Sequence, residues 1–260
     1  MIKAIFFDVD GTLLSHRQNA VPVSTRNVLN LLKEQGIKCV LATGRHLTEL
    51  ATLPINDISF DAYITLNGQL CLNDKKEIFS CNPISCSDKE YIVQLFRDKS
   101  IPVMLVEKDR MYINFINDAV KAAQQEISTP VPDVQDYKGG DIYQAIVYIG
   151  KETENAIQTH LTDSKIIRWN PRAIDIISKT GGKTTGIQAY LETTDISADE
   201  TMAFGDAAND IDMLEFVHIG VAMGNASDEV KAHADFVTAS VDEDGIEKAL
   251  LITKAHWRYL

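Results

Sequence analysis

The sequence predicts an α/β protein: a parallel-sheet core interrupted by an inserted α+β unit. Three observations carry this. Strand and helix patterns alternate with short connections over the first eighty residues, the pattern changes between 82 and 180, and the alternation resumes at Lys183. The core therefore takes 1–81 and 181–260, and the insertion takes 82–180. Strand–helix–strand order with short connections implies parallel pairing and right-handed crossovers. In such sheets ligands bind beyond the carboxyl ends of the strands.

The first third follows this alternation closely. Residues 2–7 read as a strand, whose short apolar run Ile5-Phe6-Phe7 ends at Asp8. Ser24 suits the N-cap of a helix whose apolar face is Val28, Leu29, Leu31 and Leu32 and which stops at Gly36. Residues 37–42 are the second strand, and Thr43-Gly44-Arg45 follows as a strand-to-helix turn. Residues 62–66 are the third strand, ending at Asn67-Gly68, and 70–72 with 78–81 read as a hairpin. Asp8, Thr43 and Asn67 all fall at carboxyl ends of strands.

The insertion reads as helix 87–99, antiparallel strands 103–106 and 111–115, helix 117–127, strand 144–149, helix 152–161, and strands 165–169 and 173–177. Helix 183–191 reopens the core. Residues 197–200 are a capping-box sequence, SADE. Strand 201–204 then ends in GDAAND, helix 210–216, strand 218–221, helix 228–233, strand 236–237 and helix 245–252 complete the chain.

Composition narrows the function. With 260 residues and 45% hydrophobic content the chain can fill one large core or a core plus a smaller one. The formal charge of −12 argues against a nucleic-acid partner, because phosphate-backbone binding needs a basic surface. The same charge would repel an anionic substrate, so any phosphate site has to be locally positive. No apolar stretch reaches the ~20 residues needed to cross a bilayer. A cleaved leader is not expected either, since it would remove the acids after the first strand. Cys39, Cys71, Cys81 and Cys86 lack CxxC spacing and read as reduced thiols with no metal or catalytic role. A cytoplasmic location follows from that reading. The oligomeric state is not legible, and a monomer fits.

The chemistry sits in DVDGT, residues 8–12. An apolar strand delivers two carboxylates one residue apart and then breaks at a glycine. Carboxylates that close repel unless a cation or a shared proton lies between them. The simplest reading is a Mg²⁺ site in which one carboxylate is also a nucleophile. Asp and Gly also make ordinary turns, so the reading needs partners elsewhere. GDAAND, residues 205–210, puts Asp206 at a strand end, where it can add a third hard oxygen, with Asn209 and Asp210 opening a helix. The N–H groups and hydroxyl of Thr43-Gly44-Arg45 suit phosphate oxygens. Lys183, after Gly181-Gly182, can supply the missing positive charge. GGKTT is not a Walker A loop, because Ile177 stands where that motif needs its first glycine. RWNPR, residues 168–172, offers an aromatic face and two arginines as a candidate substrate contact.

DVDGT, ATGR (residues 42–45), Lys183 and GDAAND, in this order, resemble the haloacid dehalogenase superfamily of phosphohydrolases. The likeness extends to VAMGNA (221–226) and DEDGI (242–246) and is strongest to the Cof-type phosphatases, which include bacterial hexose phosphate phosphatases. It implies a Rossmann-like parallel-sheet core with an inserted α/β cap that closes over the site, excludes water and sets substrate specificity. It further implies Mg²⁺ as cofactor and a small phosphorylated metabolite, a sugar phosphate, as substrate. Asp8 would be the nucleophile, forming an aspartyl-phosphate. Asp10 would protonate the leaving alkoxide and then take a proton from water. The metal ligands would be Asp8, Asp206 and the backbone carbonyl of Asp10. Thr43 and the Gly44 N–H would hold phosphate oxygens, Lys183 would offset their charge, and Arg45 would add to this or contact the sugar. Asn209 would orient the phosphate, and Asp210 would stand behind the ligands. The rivals are a sugar phosphomutase, which returns phosphate to sugar, and a signalling phospho-acceptor, against which Asp10 and the large insertion both count.

Overall fold

The computed structural model describes residues 1–126 and 129–256; Ile127, at the end of a predicted helix, lies outside them. The chain divides into two compact units, Met1–Cys81 with Gly182–Leu260, and Asn82–Gly181. The first unit begins with β1 (Ala4–Phe7), α1 (Val23–Glu34), β2 (Lys38–Ala42), the one-turn α2 (Leu47–Leu50), β3 (Ala62–Thr65), β4 (Leu70–Asn73) and β5 (Ile78–Cys81). The second unit holds α3 (Cys86–Asp98), β6 (Val103–Val106), β7 (Met111–Ile113), α4 (Asp118–Glu126), β8 (Gln144–Val147), α5 (Lys151–Gln158), β9 (Ser164–Asn170) and β10 (Ala173–Ser178). The chain returns to the first unit with α6 (Lys183–Glu192), β11 (Thr201–Gly205), α7 (Ile211–Phe216), β12 (Ile219–Ala222), α8 (Asp228–Ala232), β13 (Phe236–Val237) and α9 (Gly245–His256).

The sheet of the first unit runs β13-β12-β11-β1-β2-β3-β4-β5. Strands β13 to β3 pair in parallel, and the β4–β5 hairpin adds two antiparallel strands at one edge. β1 lies where the winding reverses: β2 and β3 build outward on one side, β11, β12 and β13 on the other. A crevice opens at such a reversal, beyond the carboxyl ends of the strands. Asp8 leaves β1 on one side of it and Asp206 leaves β11 on the other.

β1 is apolar throughout because both faces of the sheet are covered. Ile5 and Phe7 pack with Val28, Leu29 and Leu32 of α1 and with Ile246 and Leu250 of α9. Ala4 and Phe6 pack on the opposite side with Ile187 and Tyr190 of α6 and Met213 and Leu214 of α7. Phe7 stacks on Phe204 of β11 with ring centroids 5.5 Å apart, and Phe6 meets Tyr190 edge-on at 5.9 Å. Each such buried side chain contributes about 1.5–3 kcal/mol. The backbone that carries Asp8 is therefore held from both faces.

The second unit is a five-stranded antiparallel sheet, β7-β6-β8-β10-β9. Period-2 alternation sends Leu105, Val147 and Ile176 to the face covered by α3 and α5, and Met104 and Ile146 to the face covered by α4. The RWNPR side chains are engaged within this unit. Arg168 donates to Glu154 at 2.7 Å and to the carbonyls of Asn170 and Ile149, Trp169 donates to Asp175 at 2.9 Å, and Arg172 to Glu126 at 2.7 Å. They tie the β9–β10 corner to α4 and α5, the structural job that competes with substrate contact.

Local expectations depart in three places. α1 starts at Val23 behind Pro22, with no side-chain cap, and the Ser24 hydroxyl instead donates to Asp244 at 2.5 Å. Leu31, expected on the apolar face, is 47% exposed. The Ser197/Glu200 capping box forms, but on a single 3-10 turn, Ala198–Glu200. Among the described residues no helix is long and apolar enough to cross a membrane.

α6 reaches the sheet at Gly186, where a Cβ would lie 2.4 Å from Ile64 Cγ2 and 3.1 Å from Cys71 Sγ. Alanine is the better helix former by about 1 kcal/mol, but overpacking a filled core costs about 1–3 kcal/mol. Gly186→Ala is expected to lower the unfolding free energy measured by urea titration; a more stable variant would contradict this packing of α6.

Candidate active site

Three strand ends and one helix start meet at the β1/β11 crevice. Asp8 follows β1 and is 5% exposed, and its N–H donates to the Phe204 carbonyl at 3.0 Å. Lys183, the first residue of α6, has a fully buried side chain, and its Nζ lies 2.5 Å from both Asp8 Oδ1 and Asp210 Oδ1. The other oxygen of Asp210 accepts the N–H groups of Asp206 and Ala207, each at 2.9 Å, which fixes the GDAAND turn. Asp206 accepts from Thr12 Oγ1 at 2.9 Å and from Asn225 Nδ2 at 3.1 Å. Asn225 also donates to the Gly11 carbonyl at 2.9 Å, joining the two acid turns. Gly11 has φ +82°, and a Cβ there would fall 2.2 Å from Asp206 Oδ2; a glycine is required on both counts.

Oxygens of Asp8, Asp206 and Asp210 lie within 4.8 Å of one another, so these three could hold a metal ion. Burial raises the Asp8 carboxyl well above its ordinary range and the charges of Asp210 and Asp206 add to this, while Lys183 opposes them. Burial and Asp210 push Asp206 up to about 6. Burial alone would lower Lys183, but Asp210 and Asp8 outweigh it and the ammonium is held charged. The edge is short of positive charge, and a hard divalent cation with oxygen ligands fits it. Asp210 already binds an ammonium and two N–H groups, whereas Asp206 receives only neutral donors. The two carboxylates expected as metal ligands, Asp8 and Asp206, both lie in this cluster, and Asp210 joins them; Asp10, expected to offer its backbone carbonyl, has its carboxylate turned to Arg45.

Arg45 Nε and Nη2 donate to Asp10 Oδ2 and Oδ1 at 2.7 and 2.8 Å, and Nη1 lies 3.6 Å from Glu49. His16 Nε2 is 3.2 Å from Asp10 Oδ1. The helix expected directly after β2 begins later, at Leu47, behind a His46 cap whose N–H donates to Glu49 at 2.8 Å. Thr43, Gly44 and Arg45 therefore form a turn. Thr43 is 1% exposed, its hydroxyl accepts the Arg45 N–H at 3.1 Å, and its carbonyl accepts the Asn67 N–H at 3.0 Å. Leu66, Asn67 and Gly68 have φ of 52°, 53° and 80°. Two non-glycine residues in this left-handed region cost about 1–3 kcal/mol each, a strain characteristic of functional sites. The turn aims Asn67 at the Gly44 backbone, where a Cβ would lie 3.2 Å from its Nδ2, while Asn67 Oδ1 accepts from Asn209 Nδ2 at 2.9 Å.

The structure thus brings Asp8, Lys183, Asp206 and Asp210 together, pairs Asp10 with Arg45, and links Thr43 to Asn209 through Asn67. Sequence reasoning left Thr12, Asn67 and Asn225 out of the site. Thr12 and Asn225 lie inside the quoted motifs DVDGT and VAMGNA, but their contacts to Asp206 follow only from the pairing of β1 and β12 with β11.

Comparison with known proteins identifies the family. The profile of the family described as haloacid dehalogenase-like hydrolase matches residues 5–250. YkrA of Bacillus subtilis (strain 168) is 33% identical over 252 residues, spanning 95% of this chain and 96% of YkrA. BT1666 from Bacteroides thetaiotaomicron, described among phosphatases of the HAD superfamily, superposes with a TM-score of 0.87 at 34% identity over 96% of this chain and 94% of its own. BT4131, described as a HAD subclass IIB sugar phosphatase, superposes with a TM-score of 0.84 at 33% identity over 97% of this chain and 99% of its own. With its acid cluster at the β1/β11 reversal and these relatives along nearly its full length, the chain belongs to the haloacid dehalogenase-like hydrolases, as a Cof-type phosphatase.

Proposed function

We propose that the protein hydrolyses small phosphate monoesters, sugar phosphates such as hexose phosphates foremost, through an aspartyl-phosphate on Asp8 and with Mg²⁺. The observation that carries this is the Asp8 carboxylate at the crevice, buried against Lys183 and clustered with Asp206 and Asp210. The sugar preference draws on BT4131, described as a sugar phosphatase and 33% identical.

Uncatalysed phosphate monoester hydrolysis is slow enough that catalysis must supply on the order of 20 kcal/mol. Positioning and charge neutralisation supply most of it. Asp8 attacks phosphorus in line; its oxygen bonds phosphorus as the bond to the leaving oxygen breaks, and Asp10 gives that oxygen a proton. Water then attacks the phosphorus, Asp10 takes its proton, and Asp8 is released. Mg²⁺, when bound, would be held by Asp8, Asp206 and the Asp10 carbonyl and would neutralise phosphate charge. Thr43 and the Gly44 N–H hold phosphate oxygens, Asn209 orients the phosphate, Lys183 offsets its charge, and Asp210 keeps Lys183 and the Asp206 turn in place. The second unit serves as the cap that selects the leaving group. The setting is cytoplasmic, where the four thiols stay reduced.

A panel of hexose, pentose, polyol and cofactor-related phosphates, assayed for Mg²⁺-dependent phosphate release, tests the reading. Hexose phosphates are expected to be among the best substrates. An isomerised ester in place of free phosphate would make the protein a mutase and overturn it. Asp8→Asn is expected to abolish phosphate release from sugar and aryl phosphates alike while circular dichroism stays unchanged; retained turnover would remove Asp8 as nucleophile.

Asp206 yields a pH prediction. Its folded value of about 6 lies above the ordinary 3.8. The metal-free fold binds this proton more tightly than the unfolded chain, so stability falls as pH rises from about 4 to 6, and the full loss persists above. In chelator-treated protein Asp206→Asn removes that penalty, on the order of 1–3 kcal/mol. Its unfolding midpoint should exceed the parent's at pH 8 and converge with it near pH 4. A difference independent of pH would contradict the assignment.

A further inference from the structure

We propose that Arg45 is a positioning residue for proton transfer, a guanidinium fork that fixes the carboxylate plane of Asp10, and that it does not read phosphate or sugar. This rests on the reading of Asp10 as the proton carrier. The fork is two-pronged: Nε to Oδ2 at 2.7 Å and Nη2 to Oδ1 at 2.8 Å. Such bidentate pairs fix orientation as well as distance. The third nitrogen, Nη1, faces Glu49 at 3.6 Å, and Glu49 is itself anchored by the His46 N–H. The Arg45 backbone is anchored too, donating to Thr43 Oγ1 and accepting from the Leu66 N–H at 3.3 Å. The Arg45 side chain is only 12% exposed, whereas the Asp10 side chain is 31% exposed. The rigid partner of the pair is thus the arginine.

Hydrogen bonding points the same way. Nε and Nη2 are already given to Asp10, and Nη1 faces Glu49, so each guanidinium nitrogen has a carboxylate beside it. Strand pairing supplies the logic: Phe7 of β1 lies beside Leu41 of β2, so the acid turn after β1 and the TGR turn after β2 emerge next to each other. Asp10 has to reach the leaving oxygen and later the attacking water at hydrogen-bond distance. A half-exposed carboxylate free to rotate would meet that geometry only part of the time. Arg45 neither gains nor loses a proton in either half-reaction; the proton moves between Asp10 and the substrate or water oxygen.

The test is a double-mutant cycle on Mg²⁺-dependent hydrolysis of a hexose phosphate, with Arg45→Ala, Arg45→Lys, Asp10→Asn and the Arg45→Ala/Asp10→Asn double variant. Arg45→Ala is expected to lower kcat about 10- to 100-fold with KM nearly unchanged. Arg45→Lys should not restore it, because a point donor cannot fork. In the Asp10→Asn background the loss of Arg45 should cost no more than about 2-fold, since the two act as one unit. Losses that multiply, a raised KM with kcat intact, or full activity in Arg45→Lys would each overturn the clamp. Asp10→Asn with parental kcat would instead overturn the proton-carrier reading beneath it, and that single variant reveals it without any change at Arg45. Should Arg45→Ala fail to fold, Glu49→Gln loosens the other side of the guanidinium. A kcat loss in Glu49→Gln that vanishes in the Asp10→Asn background supports the clamp, and one that persists there overturns it.

Discussion

The buried ammonium of Lys183, held between Asp8 and Asp210, is the interaction on which the rest of the first unit depends. Taking an ammonium out of water costs several kcal/mol even after relaxation, and only close, well-directed carboxylates offset it. Both are 2.5 Å away. Deleting one partner of such a group leaves a buried charge unpaired, a loss of about 3–5 kcal/mol. The triad therefore locks together the end of β1, the start of α6 and the turn after β11, three segments far apart in sequence. Asp210 passes the constraint on, because its second oxygen organises the backbone from which Asp206 projects.

The same arrangement leaves the edge of the sheet short of positive charge. Lys183 is shared by two acids and so is Arg45, while Asp206 faces only neutral donors. This is why burial and neighbouring acids hold Asp8 and Asp206 above the usual carboxylate range. A cation brought to this edge relieves the repulsion, and a phosphate can then enter a protein whose formal charge of −12 would otherwise repel it. Stability and chemistry thus draw on the same few side chains: the repulsion among the buried acids is what a bound cation would relieve, and the phosphate then meets a site whose charge has been offset.

What the sequence disclosed divides along physical lines. β1 and the acids after it are legible because a strand buried on both faces leaves an unbroken apolar run, and its end is marked by DVDGT. The insertion shows in the change of periodicity after β5. Tertiary pairings are what local patterns miss. Ser24 has the chemistry of an N-cap, yet its hydroxyl is taken by Asp244, 220 residues away. The TGR turn looks like a helix start, yet the helix waits for the His46/Glu49 cap, and histidine is a weak N-cap signal. Arg45 reads as a free cation until β1 and β2 are placed side by side. Asn67 could be located at a strand end, but not its left-handed backbone or its bond to Asn209, which set what it faces. RWNPR looks like a ligand surface because an aromatic and two arginines often are one; Glu154, Asp175 and Glu126 claim them first.

The central claim is that Asp8 carries the phosphoryl group covalently. It is tested most directly by acid-quenching the protein during turnover of a saturating sugar phosphate with Mg²⁺, followed by peptide mapping by mass spectrometry. The expected result is a phosphorylated peptide whose modification maps to Asp8. Phosphate released in full with no phosphoryl group on Asp8 at any quench time, or one that maps to another residue, would contradict it.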